Sequence, residues 1–106
     1  MKKIECLIRP EKFEELKNEL RLAGVGGMTI SDVRGFGAQT SRPDNYLVLP
    51  KIKIEVYCTD HQATDFVDVI VKVCRTGDIG NGKIAILSVD DLIRVRTGEH
   101  GEKAIF

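Results

Sequence analysis

Two stretches of strict alternation, each followed at once by an apolar stripe of helical period, constrain this chain more than any other feature. Residues 3–9 place Ile4, Cys6 and Ile8 on one face and Lys3, Glu5, Leu7 and Arg9 on the other, the period of a strand covered on at least one side. Pro10 suits the first turn of a helix, where its missing N–H costs nothing. Phe13, Leu16, Leu20 and Ala23 then recur at spacings of three and four up to Gly24. The pattern returns at 51–58, where Ile52, Ile54, Val56 and Cys58 alternate with Lys51, Lys53, Glu55 and Tyr57. Thr59-Asp60-His61-Gln62 has the form of a capping box, and Phe66, Ile70, Val73 and Cys74 continue at helical spacing to an end near Thr76-Gly77.

The remaining segments complete the order. Gly26-Gly27 makes a turn, and 28–36 carries enough β-branched residues for a second strand with a soft end at Gly35 and Gly37. From 37 to 50 the composition is polar, and the far end, Tyr46-Leu47-Val48-Leu49, can pair as strand. Residues 84–89 read as a strand and 92–96 as a short edge-like one. This is an α+β chain in the ferredoxin-like βαββαβ order, a sandwich with an extra C-terminal strand, in which both helices pack on one face of an antiparallel sheet. At 106 residues it has room for one domain, 1–106, with a mobile loop at about 37–50.

Composition narrows the function. Sixteen Lys plus Arg balance sixteen Asp plus Glu, so a sequence-independent grip on nucleic acid is not expected, and any anion site must be local. No apolar run approaches the ~20 residues of a bilayer span, so direct membrane insertion is not expected either. Cys6, Cys58 and Cys74 are odd in number and flanked by apolar residues; they read as core filler in a reducing compartment, and the expected location is cytoplasmic. His61 and His100 stand alone, without the ligand spacing of a zinc site.

The strongest local signal is Gly77-Asp78-Ile79-Gly80-Asn81-Gly82-Lys83. Glycines let backbone N–H groups turn toward a phosphate, and a following Lys adds a point charge. The run lacks Walker spacing and leads into a strand, so taken alone it is equally a plain turn. Arg94 and Arg96, one residue apart, share a face of the last strand and form a cationic pair suited to polyphosphate. Lys51 and Lys53 form a second such pair beside the loop. Together these place five cations, a glycine turn and a loop in a chain with no surplus positive charge, which points to a small anionic ligand. No Ser/His/Asp order and no Cys paired with a base accompanies them, so binding rather than turnover is expected.

With these residues in hand, the sequence resembles the PII signal-transduction family over nearly its whole length. The resemblance rests on Met1-Lys2-Lys3-Ile4-Glu5 with Ile8-Arg9-Pro10, Gly27-Met28-Thr29, and Val33-Arg34-Gly35-Phe36-Gly37 followed by Gln39. It continues in Leu49-Pro50-Lys51-Ile52-Lys53-Ile54-Glu55, in Arg75-Thr76-Gly77-Asp78-Ile79-Gly80-Asn81-Gly82-Lys83-Ile84, and in Ile93-Arg94-Val95-Arg96-Thr97-Gly98-Glu99. It implies a homotrimeric, non-enzymatic regulator of nitrogen metabolism that binds ATP or ADP in clefts between neighbouring chains. The mobile loop would dock on a transporter, metabolic enzyme or regulator. By that resemblance Gly80, Asn81, Gly82 and Lys83 cradle phosphates, and Arg94 and Arg96 reach them from the adjacent subunit. Thr29, Gly35 and Gly37 line the nucleotide, and Glu55 completes the adenine side. Gln39 helps hold Mg²⁺ and 2-oxoglutarate, Lys51 pairs with a 2-oxoglutarate carboxylate, and Arg9 lies near that ligand.

Several positions depart from the family pattern. The stretch between Gln39 and Leu49 is about seven residues shorter, and the Tyr-Arg-Gly-rich segment that carries nucleotidylation in many relatives is missing; Tyr46 reads as an ordinary strand aromatic, and uridylylation is not expected. Ala38 replaces an arginine that meets phosphate, and one lost charge-assisted contact costs about 1.5–3 kcal/mol. Asn81 replaces an aspartate, Glu11 an aromatic and Ala85 a phenylalanine. An alternative on the same topology is a small phosphate-handling enzyme of acylphosphatase-like fold, but no arginine loop follows the first strand. An RNA-binding sheet would need more stacking aromatics than Phe36 and Tyr57.

Overall fold

The structure is a computed structural model that describes residues 1–37, 48–78 and 82–106. Its strands are β1 (Lys2–Ile8), β2 (Thr29–Gly35), β3 (Leu49–Cys58) and β4 (Lys83–Ser88), and its helices α1 (Phe13–Leu22) and α2 (Asp60–Cys74). The strands form one antiparallel sheet in the order β2-β3-β1-β4. This is the expected α+β, ferredoxin-like arrangement. β3 starts at Leu49, which pairs with Gly35, two residues before the clean alternation begins; Tyr46 and Leu47 lie outside the described residues.

The period-two pattern sorts the sheet into two faces. Ile4, Cys6, Ile8, Ile54, Val56 and Cys58 are buried and form one cluster with Leu16 and Leu20 of α1 and Ala63, Phe66, Ile70, Val73 and Cys74 of α2. Burial pushes the Cys6 thiol up to about 12 and also raises Cys58 and Cys74. All three cysteines are therefore protonated core groups, as their apolar neighbours imply.

The ends of the helices explain two corrections. Pro10–Lys12 is a short 3-10 turn leading into α1 rather than its first turn. Ala23, expected in the apolar stripe, is exposed, and Val25 is buried in its place. The chain leaves α1 through Gly24 at φ +109°. Gly24 N–H donates to Arg21 O at 3.1 Å and Val25 N–H to Leu20 O at 3.0 Å, a Schellman closure that returns the next apolar residue to the core. At the start of α2 the capping box is complete, with Gln62 N–H donating to Thr59 Oγ1 at 3.1 Å and Thr59 N–H to Gln62 Oε1 at 3.0 Å.

The extra strand expected over 92–96 reduces to a single bridge between Ile93 and His100. Arg94 N–H donates to Glu99 O at 2.9 Å, and Gly98 N–H returns to Arg94 O at 2.7 Å, with Gly98 at φ +73°. The segment thus folds back on itself in a tight turn, so its backbone bonds are used locally instead of extending a ladder.

Candidate functional site

The antiparallel register gathers six of the candidate residues at one end of the sheet. Gly35 closes β2, Ile8 closes β1 with Arg9 next, Lys51 lies near the start of β3, and Lys83 opens β4 with Gly82 just before it. Leu7 pairs with both Lys53 and Lys83, Val33 with Lys51, and Gly35 with Leu49; Gly37 follows two residues beyond β2. Gln39, Ala38, Gly80 and Asn81 lie outside the described residues.

Between this end and α2 runs a groove of about 240 Å³, lined by Leu7, Ile8, Ile70, Val71, Cys74, Arg75, Gly82, Lys83 and Ile84. Its floor is apolar and its mouth carries Arg75 and Lys83. A self-sufficient small-molecule site usually occupies roughly 300–1,000 Å³, so the groove of one chain falls short of a complete site. Gly82 is fixed by its setting: its φ is +105°, and a Cβ there would run into the Leu7 carbonyl oxygen. After the end of α2, Thr76 Oγ1 accepts from Asp78 N at 3.3 Å and donates to Asp78 Oδ2 at 3.2 Å.

Two further candidates, Thr29 and Glu55, sit in the middle of the sheet, two positions from the row of Lys53, Leu7 and Lys83, and two others follow β4. Thr29 opens β2 and pairs with Glu55, and Arg94 and Arg96 follow the C-terminal end of β4. Lys83 and Ser88 are the first and last residues of β4, roughly 17 Å apart at the usual strand rise. Lys83 and the segment that carries Arg94 and Arg96 are thus attached to opposite ends of β4.

Charge is more fully paired than a count of cations implies. On the open face Lys3 Nζ lies 2.8 Å from Glu55, and Lys53 Nζ lies 2.9 Å from Glu5 and 3.6 Å from Glu55. Glu5 and Glu55 are direct cross-strand partners, and two like charges in that position repel unless cations intervene. Hydrogen bonding to Lys3 holds Glu55 below the usual carboxylate range, while Glu55 and Glu5 raise Lys3 and Lys53 respectively. Lys53 is thus part of an ion-pair network, which removes it from the proposed cationic pair with Lys51.

The Arg94/Arg96 pair also changes, because 92–96 is a turn and not a strand. Arg94 is half-buried and donates from Nη1 to Glu99 Oε1 at 2.7 Å and from Nη2 to Lys103 O at 2.6 Å; Arg96 is exposed. Beside it, His100 Nδ1 and Asp91 Oδ2 are 2.7 Å apart, and this contact with His100 lowers Asp91. Sequence reasoning missed Arg75 and Glu99 as groups at the site and missed the pairing of Lys3 with Glu55. The last was recoverable from antiparallel pairing of the two alternating strands. The first two depend on where a helix ends and how a turn closes. Among the described residues, no group of three or more His, Cys, Asp or Glu could hold a metal ion.

Comparison with known proteins decides the family. Residues 1–99 match the family described as nitrogen regulatory protein P-II. The chain belongs to the P-II family. It is 48% identical to nitrogen regulatory protein P-II 2 of Methanothermobacter thermautotrophicus over 112 residues, covering 99% of this chain and 97% of that one. It is 45% identical to the P-II protein of Nostoc punctiforme, over 99% and 100% of the two chains. The crystal structure of Arabidopsis thaliana PII bound to citrate superposes with a TM-score of 0.81 at 40% identity, covering 98% of this chain and 88% of that one. A match of 112 positions that uses 99% of a 106-residue chain leaves about seven positions without a counterpart here, the size of the shortening read between Gln39 and Leu49. P-II family membership makes this protein a signalling regulator rather than an enzyme.

Proposed function

We propose that this P-II protein senses ATP and ADP, with 2-oxoglutarate and Mg²⁺ as co-effectors, in clefts between the subunits of a homotrimer. The observation that supports this reading is that Lys83 opens β4 while Arg94 and Arg96 follow its other end. Gly82 and Lys83, with Gly80 and Asn81 of the same turn, take the phosphates; Gly35 and Gly37 line the nucleotide from the same chain. Arg94 and Arg96 are supplied by the neighbour, Thr29 lines the nucleotide with Gly35 and Gly37, and Glu55 completes the adenine side. Such head-to-tail contacts close into a ring when the rotation between copies permits. Lys51 and Arg9 lie at the Lys83 end, where a dicarboxylate beside the phosphates would meet two cations. Gln39 is assigned to Mg²⁺ and 2-oxoglutarate by resemblance. The related Arabidopsis protein was solved with citrate bound, which supports a carboxylate ligand in this family.

The loop of 37–50 is the docking element for a transporter, metabolic enzyme or regulator in the cytoplasm, and the single domain spans 1–106. Ligand must favour one loop arrangement over another, because equal affinity for both would shift nothing. Gln39 and Lys51, at the two ends of the loop, are placed to supply that difference. Among the described residues no helix is long and apolar enough to cross a membrane.

Calorimetric titration of the protein with ATP and with ADP, each with and without Mg²⁺ and 2-oxoglutarate, tests the reading. ATP binding that Mg²⁺ and 2-oxoglutarate tighten is the expected result. Nucleotide binding that 2-oxoglutarate leaves unchanged reduces the protein to an adenylate sensor, and absence of nucleotide binding overturns the reading.

A further inference from the structure

The turn that carries Arg94 and Arg96 is costly to order. It holds two glycines in the left-handed region, Gly98 and Gly101, both at φ +73°, and glycine loses more backbone freedom on folding than any other residue. Its middle is closed by the backbone bonds of Arg94 with Glu99 and Gly98. Its base is closed largely by one side chain. Asp91 Oδ1 accepts from Leu92 N–H at 2.8 Å and from Gly101 N–H at 3.2 Å, and Asp91 Oδ2 lies 2.7 Å from His100 Nδ1. Gly101 N–H also donates to Leu92 O at 2.9 Å, and Ile93 bridges His100. One carboxylate thus ties the residue that enters the turn to the two that leave it. The carboxylate next to it differs, because the Asp90 side chain has no hydrogen-bond or ion-pair partner among the described residues.

We infer that Asp91 is a positioning residue of the proposed cleft: its clasp presets the 92–101 turn, so that Arg94 and Arg96 are already placed when a polyphosphate arrives. This rests on the nucleotide reading above and adds to it a residue that acts without touching the ligand. Arg96 depends on the turn most. It is exposed and has no ion pair among the described residues, so the backbone of the turn alone aims its guanidinium. Without the clasp the turn samples more arrangements, and a ligand has to order it at the expense of affinity. Charge by itself argues for the opposite sign. A carboxylate near a polyanion repels it, so removing Asp91 would tighten ATP on Coulombic grounds, whereas loss of the clasp weakens it. The direction of the change separates the two.

The test is calorimetry of ATP binding by the full chain and its variants, with amide exchange of the free chains as a second readout. Asp91→Ala is expected to weaken ATP about tenfold, the scale of one or two lost side-chain hydrogen bonds. Asp91→Asn keeps a carbonyl oxygen for both backbone N–H groups and is expected to stay close to wild type. Asp90→Ala removes the neighbouring charge and no bond, and is expected to leave affinity unchanged or slightly tighter. In an Arg96→Ala background the cost of Asp91→Ala should shrink, because Asp91 acts through a residue already removed; a general loss of structure would cost as much in either background. Leu92 and Gly101 amides should lose protection in Asp91→Ala and keep it in Asp91→Asn. Unchanged or tighter ATP binding by Asp91→Ala overturns the proposal, as does an Asp91→Asn variant as weak as Asp91→Ala, or an undiminished cost beside Arg96→Ala. Failure of wild type to bind ATP overturns the nucleotide reading itself, and the role of Asp91 with it, whatever the exchange at Leu92 and Gly101.

Discussion

At the scale of single residues, Gly82 shows how one position joins fold to function. It begins the passage from the glycine run into β4, and its α-carbon lies so close to the Leu7 carbonyl oxygen that a side chain has no room. Its φ of +105° is a second, independent demand for glycine. Gly82→Ala should therefore cost about 2 kcal/mol or more, from backbone strain and displacement of β1. Urea unfolding of the two proteins measures it, and a loss within 0.5 kcal/mol, the scale of a neutral surface change, would contradict this account. Nucleotide binding should fall further than stability, because the displaced strand carries Leu7 at the wall of the groove. The glycine run was legible as a turn suited to phosphate. That Gly82 in particular is irreplaceable was not, since the obstacle is a carbonyl 75 residues earlier in the chain.

At the scale of elements, local signals and tertiary ones separate cleanly. The capping box at Thr59 was readable because both of its hydrogen bonds join residues three apart. Thr59→Ala should lower stability by about 1 kcal/mol, visible as a drop in thermal midpoint with little change in ligand affinity. The alternation of β1 and β3 likewise declared which face is buried. The strand expected at 92–96 failed because alternation says nothing of a pairing partner, and the Gly98 turn spends those backbone groups locally. The open face carries the opposite lesson: Lys51 and Lys53 share a face, but register sets Lys53 against Glu5 and Glu55.

That network has a pH signature with a definite sign. Glu55 is lowered by Lys3, so its contribution is fully present above the usual carboxylate value of 4.5 and disappears as pH falls through its lowered value. Lys3 and Lys53 are raised, so their contribution is present below 10.5 and is lost as pH rises through their raised values. Between those limits the network is constant. Thermal melting of wild type and Glu55→Gln should differ at pH 7 and converge as the pH drops below 4.5. The difference should also shrink with added salt, because the four groups are near solvent. A gap that persists unchanged in strong acid would mean that Glu55 acts through packing instead of charge.

At the scale of the whole molecule, the proposed cleft draws on two separate groups of residues in each chain. Lys83 begins β4 and Arg94 follows its other end, so in the proposed arrangement the two residues of one subunit serve different clefts. Lys83→Ala and Arg94→Ala should each abolish most nucleotide binding when every subunit is altered. Unfolding and reassembling the two variants together should restore some of it. In a head-to-tail ring, a cleft combines the Lys83 half of one copy with the Arg94 half of its neighbour. With equal mixing, half of the first copies and half of the second are intact at the required position, so about one cleft in four is wild type. Calorimetry of the mixture should then report about a quarter of the wild-type stoichiometry at wild-type affinity, from an assembly three times the 11.8 kDa of one chain. If both residues served one cleft within the same subunit, mixing would restore nothing, because every chain would still lack one of them. Recovery at unchanged affinity therefore requires that the functional unit be the contact between two copies, the arrangement proposed from Lys83 and Arg94 at the two ends of β4.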